Sequence, residues 1–233
     1  MSTVTAEQIT DLNAAFEKQA PQDILRWAVE TYGTGLASVT SFQPTGIVIL
    51  HMLREIAPET PVLTLDTGLL FPETYALIDD LEARFDLRLT RLQPELTVER
   101  QAEQYGAALW EREPNLCCAM RKTAPLDAVL GQYPAWITGL RRDQSEGRGT
   151  TPIISWDRKH GNIKLAPLAT WTESMVWTYI HAYELPYNAL HDQNYPSIGC
   201  YPCTRAVAAD GDKRAGRWVG HNKTECGIHV QSN

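Results

Sequence analysis

The sequence has no long apolar run and no linker that is rich in proline, glycine and serine. Its most apolar run, 47–53, is too short to span a bilayer, and its first residues lack a basic segment followed by an apolar one. It also has no internal repeat, so we expect one domain over 1–233, with 206–233 as a mobile C-terminal segment. These absences lead us to expect a cytoplasmic protein that makes no contact with a membrane.

Positive charge is scarce, because 21 Lys and Arg stand against 28 Asp and Glu, which gives a formal net charge of -7. This balance argues against general nucleic-acid binding, which needs a broad excess of Lys and Arg. Clustering of cations is expected where a protein holds a small polyanion, although any single one is equally well explained as solvated surface charge. Ten of the 21 basic residues fall in three short stretches: Arg121 and Lys122; Arg141, Arg142 and Arg148; and Arg205, Lys213, Arg214, Arg217 and Lys223.

Short β-forming runs alternate with helical periodicity after two opening helices between Glu7 and Tyr32. This alternation predicts an α/β fold with a Rossmann-like parallel sheet, helices on both faces and a loop-rich C-terminal tail. Ligands bind such sheets beyond the carboxyl ends of the strands. Strands are predicted at 36–40, 61–65, 87–92, 135–140 and near 162–165, and helices at 45–56, 71–85, from about 98, and at 172–181.

The turn at 41–46 joins the first predicted strand to its helix and could present backbone N–H groups and hydroxyls to a phosphate or sulfate. It lacks the Gly-Lys-Ser/Thr of a Walker loop, and Ser or Thr at a helix start is also common as a simple cap. Arg141 follows another strand, and Arg214 and Arg217 come later in the chain. Their planar guanidinium groups suit two-point contacts with an oxyanion that lysine cannot reproduce.

Cysteine is also sparse, and four of the five cysteines form two pairs, Cys117 with Cys118 and Cys200 with Cys203. Without a secretory signal, disulfides are not expected, so the two pairs indicate one four-thiolate metal site. Adjacent cysteines on a helix diverge by about 100°, and they converge only on a large centre or from a strained helix. An iron–sulfur cluster tolerates that geometry better than zinc, which is the alternative.

The fifth cysteine, Cys226, lies in a polar segment near the C-terminus, where a buried hydrophobic role is not expected. Lys223 and His229 flank it, and Gly227 follows it. Positive charge lowers a thiol pKa, although Glu225 acts in the opposite direction. Cys226 is therefore a candidate nucleophile.

Nine motifs occur in order along most of the chain beyond the opening helices, and together they resemble the sulfonucleotide reductases, the assimilatory adenylyl-sulfate and phosphoadenylyl-sulfate reductase family. The resemblance implies an adenine nucleotide α-hydrolase-like fold with the nucleotide above the strand ends. The motifs are SFQ (41–43), LDTG (65–68), FPETY (71–75), CC with RK (117–122), TGLRRDQS (138–145), LPYN (185–188), IGCYPCTR (198–205), GRW (216–218) and ECGIH (225–229).

The resemblance implies that Cys226 attacks the sulfur of adenosine 5'-phosphosulfate, which gives an S-sulfocysteine and AMP. A thiol of thioredoxin or glutaredoxin then releases sulfite. Members of the family that keep both cysteine pairs resemble adenylyl-sulfate reductases and carry a [4Fe-4S] cluster, which does not pass electrons to the substrate. The implied cluster ligands here are Cys117, Cys118, Cys200 and Cys203, and the implied substrate contacts are Ser41, Phe42, Gln43, Leu65, Lys122, Arg141, Arg148, Arg214, Arg217 and His229.

Other interpretations stay open at this point. Some members of the family use phosphoadenylyl sulfate or both substrates, and members are often homo-oligomers. An ATP pyrophosphatase of the same broad fold would need a Ser-Gly-Gly-x-Asp-Ser loop, which the sequence lacks. A non-enzymatic iron–sulfur or zinc module would leave the clustered arginines and Cys226 without a role.

Overall fold

A single mixed sheet organises the part of the chain that the computed structural model describes, which is residues 4–208, 212–223, 225, 227 and 228. Among these residues, six strands follow the order β3-β2-β1-β4-β6-β5. All neighbouring pairs are parallel except β5 with β6, which are antiparallel. The strands are β1 (Leu36–Val39), β2 (Val62–Leu65), β3 (Leu89–Leu92), β4 (Ala135–Thr138), β5 (Ile154–Asp157) and β6 (Asn162–Leu165).

Helices connect the strands, and a proline in the first turn of α3 and of α4 sets where each begins after its strand. Across the described ranges, no helix is both long enough and apolar enough to cross a bilayer. The α-helices found there are α1 (Ala6–Phe16), α2 (Pro21–Tyr32), α3 (Pro44–Ile56), α4 (Pro72–Phe85), α5 (Val98–Tyr105), α6 (Leu109–Arg112), α7 (Pro114–Cys118), α8 (Ala124–Leu130) and α9 (Glu173–Ala182).

Both faces of the sheet are covered, because successive residues of a strand belong to different apolar clusters. In β4, Ile137 joins the larger cluster, which contains residues of α1, α2, α3, α4 and α9. Its neighbour Trp136 joins a smaller cluster with Leu126 and Leu130 of α8. This alternation is expected when side chains point to opposite faces of a strand. The prediction of an α/β sheet with helices on both faces is confirmed.

The structure corrects one feature of the predicted sheet, which was expected to be wholly parallel. The strand at 154–157 was not predicted, and it forms an antiparallel hairpin with β6 at the edge of the sheet. It leads directly into β6 with no helix between the two strands, so the alternation of strands and helices carried no signal for it. The mobility of 206–233 stays a prediction, although in that range the Trp218 N–H donates to the Cys203 carbonyl at 3.0 Å.

A side chain from α1 covers the outer edge of β5. The amide nitrogen of Asn13 donates to the Ile154 carbonyl at 2.8 Å, and its oxygen accepts the N–H groups of Ile153 and Ile154 at 2.9 and 3.1 Å. An open strand edge would otherwise present these groups to water or to another chain. Asn13 therefore takes the place of a seventh strand over two residues.

Replacement of Asn13 by alanine should leave these backbone groups without their partners. We expect Asn13→Ala to lower the free energy of unfolding by about 1–3 kcal/mol, measured by urea denaturation. Thr10→Ala is the matched control, since the Thr10 hydroxyl donates to the Ala6 carbonyl of its own helix at 3.3 Å and has no other partner among the described residues. The role given to Asn13 is wrong if the free energy of unfolding falls by the same small amount in both variants.

Candidate active site

A cavity of about 270 Å³ lies beyond the carboxyl ends of β1 and β4. The chain leaves β1 toward β2 on one side and returns to β4 on the other, so the two strand ends form the switch point at which such sheets bind ligands. We call this space the strand-end cavity. Ser41 and Gln43 after β1, Leu65 in β2, and Thr138 and Gly139 at the end of β4 all line it.

The turn between β1 and α3 holds the start of that helix against the cavity. Phe42 has a positive φ of 53°, its N–H donates to the Thr40 hydroxyl at 3.0 Å, and its ring is fully buried in the larger core cluster. A Cβ atom on Gly46 would lie 2.4 Å from the Thr40 hydroxyl oxygen, so glycine is needed for this close approach. The positive end of α3 thus faces the cavity wall formed by Ser41 and Gln43.

Arg141 ties together the starts of two helices at the cavity. Its Nε donates to Asp143 at 2.9 Å, and its guanidinium also contacts the Thr45 hydroxyl of α3. The other oxygen of Asp143 accepts the Glu173 N–H at 2.5 Å, at the first residue of α9. Arg141 is 6% exposed, so it is a buried residue that holds the two helix starts together, and its positive charge also forms part of the cavity wall.

Six cationic side chains line the strand-end cavity: Lys122, Arg141, Arg148, Lys213, Arg214 and Arg217. The Arg217 Nη1 donates to the Ser197 hydroxyl at 3.1 Å, and its guanidinium lies 4.6 Å from the centre of the Trp218 ring. Its buried Nε has no hydrogen-bond partner among the described residues. The cavity is therefore suited to an anion that can accept further N–H donors.

A second and larger cavity, of about 1240 Å³, adjoins the first, and we call it the outer cavity. Both are lined by Arg148, Arg214, Arg217 and Glu225. The Glu225 carboxylate accepts hydrogen bonds from Arg148 Nε at 3.0 Å and from Arg148 Nη2 at 2.7 Å. Arg214 lies 3.4 Å from the same carboxylate. This charge pair forms a wall between the two cavities.

The two cysteine pairs lie beside the strand-end cavity. Cys117 and Cys118 end α7, and a π-helix at Ala119–Thr123 follows directly. Burial raises the pKa of Cys117 to about 11 and that of Cys203 to about 12, and the neighbouring cysteine sulfurs raise both pKa values further. Thr67 links the two pairs in space, because its hydroxyl lies 3.3 Å from the Cys200 sulfur and its carbonyl accepts a hydrogen bond from Arg121, three residues after Cys118. Such π-turns inside helices are frequently found at functional sites.

Positive charge is buried next to these four thiols. Arg121 is 3% exposed, and its hydrogen bonds go to neutral oxygens: the Thr67 carbonyl at 2.6 Å, the Leu96 carbonyl at 3.2 Å and the Gln101 amide oxygen at 3.0 Å. Lys122 is also buried, and its ammonium group lowers the pKa of Cys203. Buried cations are costly unless negative charge lies nearby, so Arg121 and Lys122 would stabilise an anion bound beside the four cysteines.

The surroundings of the cysteines contain a further unused donor. The Trp218 Nε1 is buried and has no hydrogen-bond partner among the described residues, while the Thr67 hydroxyl lies 3.3 Å from the Cys200 sulfur. Within the described ranges, no three His, Cys, Asp or Glu side chains are arranged to hold one metal ion. Four cysteines beside two buried cations are donors of the type that bind an anionic group of several atoms built on thiolates.

The structure brings most of the predicted substrate contacts to one place. Phe42 is the exception, because its ring lies in the core. Cys226 and His229 lie outside the described residues, but Glu225 and Ile228 on either side of Cys226 line the strand-end cavity. All these assignments of roles stay predictions. The contacts placed at the cavity are Ser41, Gln43, Leu65, Lys122, Arg141, Arg148, Arg214 and Arg217.

The sequence did not predict three contacts at the site: those of Thr67 and of Arg121 near the cysteines, and the ion pair of Glu225. All three lie inside motifs, namely LDTG, the RK that follows the cysteines, and ECG. The motifs marked the right segments. The partner of each side chain depends on which segments meet in space, so the sequence carried no signal for the individual contacts.

A family model and individual relatives of known name point to the same family. The phosphoadenosine phosphosulfate reductase domain family matches residues 35–206. A protein named adenosine 5'-phosphosulfate reductase from Salinibacter ruber is 52% identical over 227 residues, which cover 97% of this chain and 90% of the relative. A relative of the same name from Halalkalibacterium halodurans is 47% identical, with 95% of this chain and 96% of the relative covered.

Solved structures agree with this relationship. Phosphoadenylyl-sulfate reductase from Candida auris, solved as a phosphate complex, has a TM-score of 0.79 and 32% identity and covers 88% of this chain and 99% of that one. FMN adenylyltransferase from Candida glabrata has a TM-score of 0.58 at 15% identity, covering 86% and 68%, and shares the fold alone. The sheet, the strand-end cavity and these relatives show that the chain belongs to the phosphoadenosine phosphosulfate reductase domain family.

Proposed function

We propose that this chain reduces adenosine 5'-phosphosulfate to sulfite and AMP in sulfate assimilation, with thioredoxin or glutaredoxin as the thiol donor. The observation that carries the proposal is the strand-end cavity, which is rich in cations and is lined by the residues on either side of Cys226. Relatives of this chain at about half identity are named for that reaction. We place the reaction in the cytoplasm and expect a homo-oligomer.

Binding of the substrate uses the ends of β1 and β2 and the cations around them. Leu65 offers an apolar contact for the adenine, and Ser41 with the start of α3 offers N–H and hydroxyl donors. Lys122, Arg214 and Arg217 supply positive charge for the phosphosulfate. Because AMP leaves with added negative charge on its phosphate, fixed cations stabilise the transition state more than the ground state.

The chemical step begins with the Cys226 thiolate. Its sulfur attacks the sulfur of the substrate, a sulfur–sulfur bond forms, and the bond from that sulfur to the phosphate oxygen breaks with its electron pair on AMP. A donor thiolate then attacks the Cys226 sulfur, and sulfite leaves with the electron pair of the sulfur–sulfur bond. The second thiol of the donor completes a disulfide and returns Cys226 as a thiolate, so the dithiol supplies both electrons.

Cys117, Cys118, Cys200 and Cys203 would hold a [4Fe-4S] cluster in this proposal. When bound, the cluster supplies a fixed negative charge beside the cavity and no electrons for the reduction. Lys122 borders both the cysteines and the strand-end cavity, and its ammonium group therefore links the two electrostatically.

A second candidate substrate is the 3'-phosphorylated form, since the Candida auris relative is named for phosphoadenylyl sulfate. We expect the wild-type protein to show a higher kcat/KM with adenosine 5'-phosphosulfate than with the 3'-phosphorylated form, measured as sulfite release with thioredoxin. Equal values would indicate a dual-substrate enzyme. The opposite order would make this chain a phosphoadenylyl-sulfate reductase.

Loss of the nucleophile should abolish the reaction without loss of substrate binding. We expect Cys226→Ser, purified without oxygen, to release sulfite at least ~1,000-fold more slowly than wild type. The control measurements are iron content and AMP affinity, which should both stay at the wild-type level. If cluster-loaded wild type releases no sulfite from either substrate, a non-enzymatic iron–sulfur module becomes the better explanation.

Substitution of one cysteine of the four should remove the metal group. We expect Cys203→Ser to lower iron and acid-labile sulfide to a small fraction of the wild-type content and to lower Tm, because thiolates beside the buried Arg121 and Lys122 lose their bridging metal. Cys226→Ser is the matched control, being the same substitution outside the four. Stoichiometric zinc without sulfide in the wild type would instead show a zinc site.

A further inference from the structure

The segment on either side of Cys226 is anchored by two different interactions. On its N-terminal side, Glu225 accepts two hydrogen bonds from Arg148, at 3.0 and 2.7 Å. On its C-terminal side, Gly227 has a positive φ of 91°, and Ile228 packs against the smaller core cluster. The chain thus turns at Gly227 between a charged anchor and an apolar one.

Arg148 is itself held in place by the end of β4. Its Nη1 donates to the Gln144 amide oxygen at 2.5 Å. The same amide oxygen accepts the Arg141 N–H at 3.1 Å, and the Gln144 amide nitrogen donates to the Gly139 carbonyl at 3.2 Å. The guanidinium therefore joins Glu225 to the rigid sheet through one intermediate side chain.

The pair between Arg148 and Glu225 belongs to the stronger kind of ion pair. Its side chains are 15% and 27% exposed, whereas those of the surface pair Arg26 and Asp23 are 55% and 54% exposed. Two parallel hydrogen bonds fix the carboxylate in direction as well as position. Nε, Nη1 and Nη2 of Arg148 all donate to Glu225 or Gln144, so Arg148 is engaged with the protein itself.

We propose that Glu225 and Ile228 are positioning residues that hold the Cys226 segment at the wall of the strand-end cavity, and that Arg148 anchors this segment instead of binding the substrate. The proposal rests on the proposed function, in which Cys226 is the nucleophile. A displacement of the attacking sulfur by about 1 Å is enough to slow a reaction roughly 100-fold. Loss of either anchor therefore acts on the chemical step and leaves nucleotide affinity unchanged.

A single-turnover experiment isolates that step. Cluster-loaded wild type and Glu225→Gln are mixed with adenosine 5'-phosphosulfate without thioredoxin, and the sulfonated Cys226 peptide is followed by mass spectrometry. We expect the rate constant at saturating substrate to fall about 10–100-fold in Glu225→Gln. The Kd for AMP, measured by calorimetry, should stay within about twofold of wild type.

The matched control is Glu146→Gln, which removes the same charge from the wall of the outer cavity. It should leave both the rate constant and the Kd for AMP at their wild-type values. Glu225→Asp keeps the carboxylate and should recover part of the lost rate. For the apolar anchor, Ile228→Ala should slow sulfonation while Ile228→Leu should not.

Charge reversal tests the pair directly. Arg148→Glu should lower the rate constant for sulfonation of Cys226. The double variant, Arg148→Glu with Glu225→Arg, should react at least about tenfold faster than Arg148→Glu alone, because it restores an ion pair with the two charges exchanged. No recovery in the double variant would show that Arg148 does not act through Glu225.

Two other results would overturn the inference. If Glu225→Gln sulfonates Cys226 at the wild-type rate, the carboxylate holds nothing that the reaction needs. If the Kd for AMP changes while the rate constant at saturation does not, Glu225 acts on substrate binding. Its carboxylate would then either compete with the nucleotide phosphate for the cations or help to hold the binding site in shape. If the wild type forms no sulfonated Cys226 but binds AMP, the proposed function itself fails.

Discussion

The parallel register of β1 with β2 and β4 is the constraint on which the rest of the structure depends. Parallel strands end at the same edge of a sheet, and the residues after them must share one space. Here that space receives Ser41, Leu65 and Arg141 from three strands that are separated by long stretches of sequence. Everything else at the site is arranged around this edge, including the cysteines and the segment near the C-terminus.

Electrostatics explains why the cations of an acidic protein collect at this edge. Arg121 and Lys122 are buried beside four cysteines, and Arg148 is paired with Glu225. A buried cation needs an anion, and here one anion is the Glu225 carboxylate, while in the proposed function the others are the cluster thiolates and the substrate. The site is therefore a balanced set of charges in which each cation has a separate task. Arg141 contacts the starts of two helices, Arg148 pairs with Glu225 next to the proposed nucleophile, and Arg217 has a buried N–H without a partner among the described residues.

The elements of the fold were predictable where a repeated pattern carried the signal. The alternation of strands and helices gave β1 to β4 and the helices that cover them, since burial imposes a period on apolar residues. The edge strand β5 was not predictable, because no helix separates it from β6 and it is held by β6 and by the Asn13 side chain from a distant helix. The π-helix after Cys118 also gave no sequence signal, because its wider turn depends on the contacts around it.

The sequence by itself determined the family resemblance, the α/β class, the two cysteine pairs and the set of cations at the candidate site. Only the tertiary structure decided what each of those residues touches. Phe42 belongs to a motif but packs in the core, whereas Arg148 meets Glu225 across 77 positions of the chain. Motifs and periodicity are local properties of the chain, but hydrogen bonds and ion pairs join residues that only the sheet topology brings together.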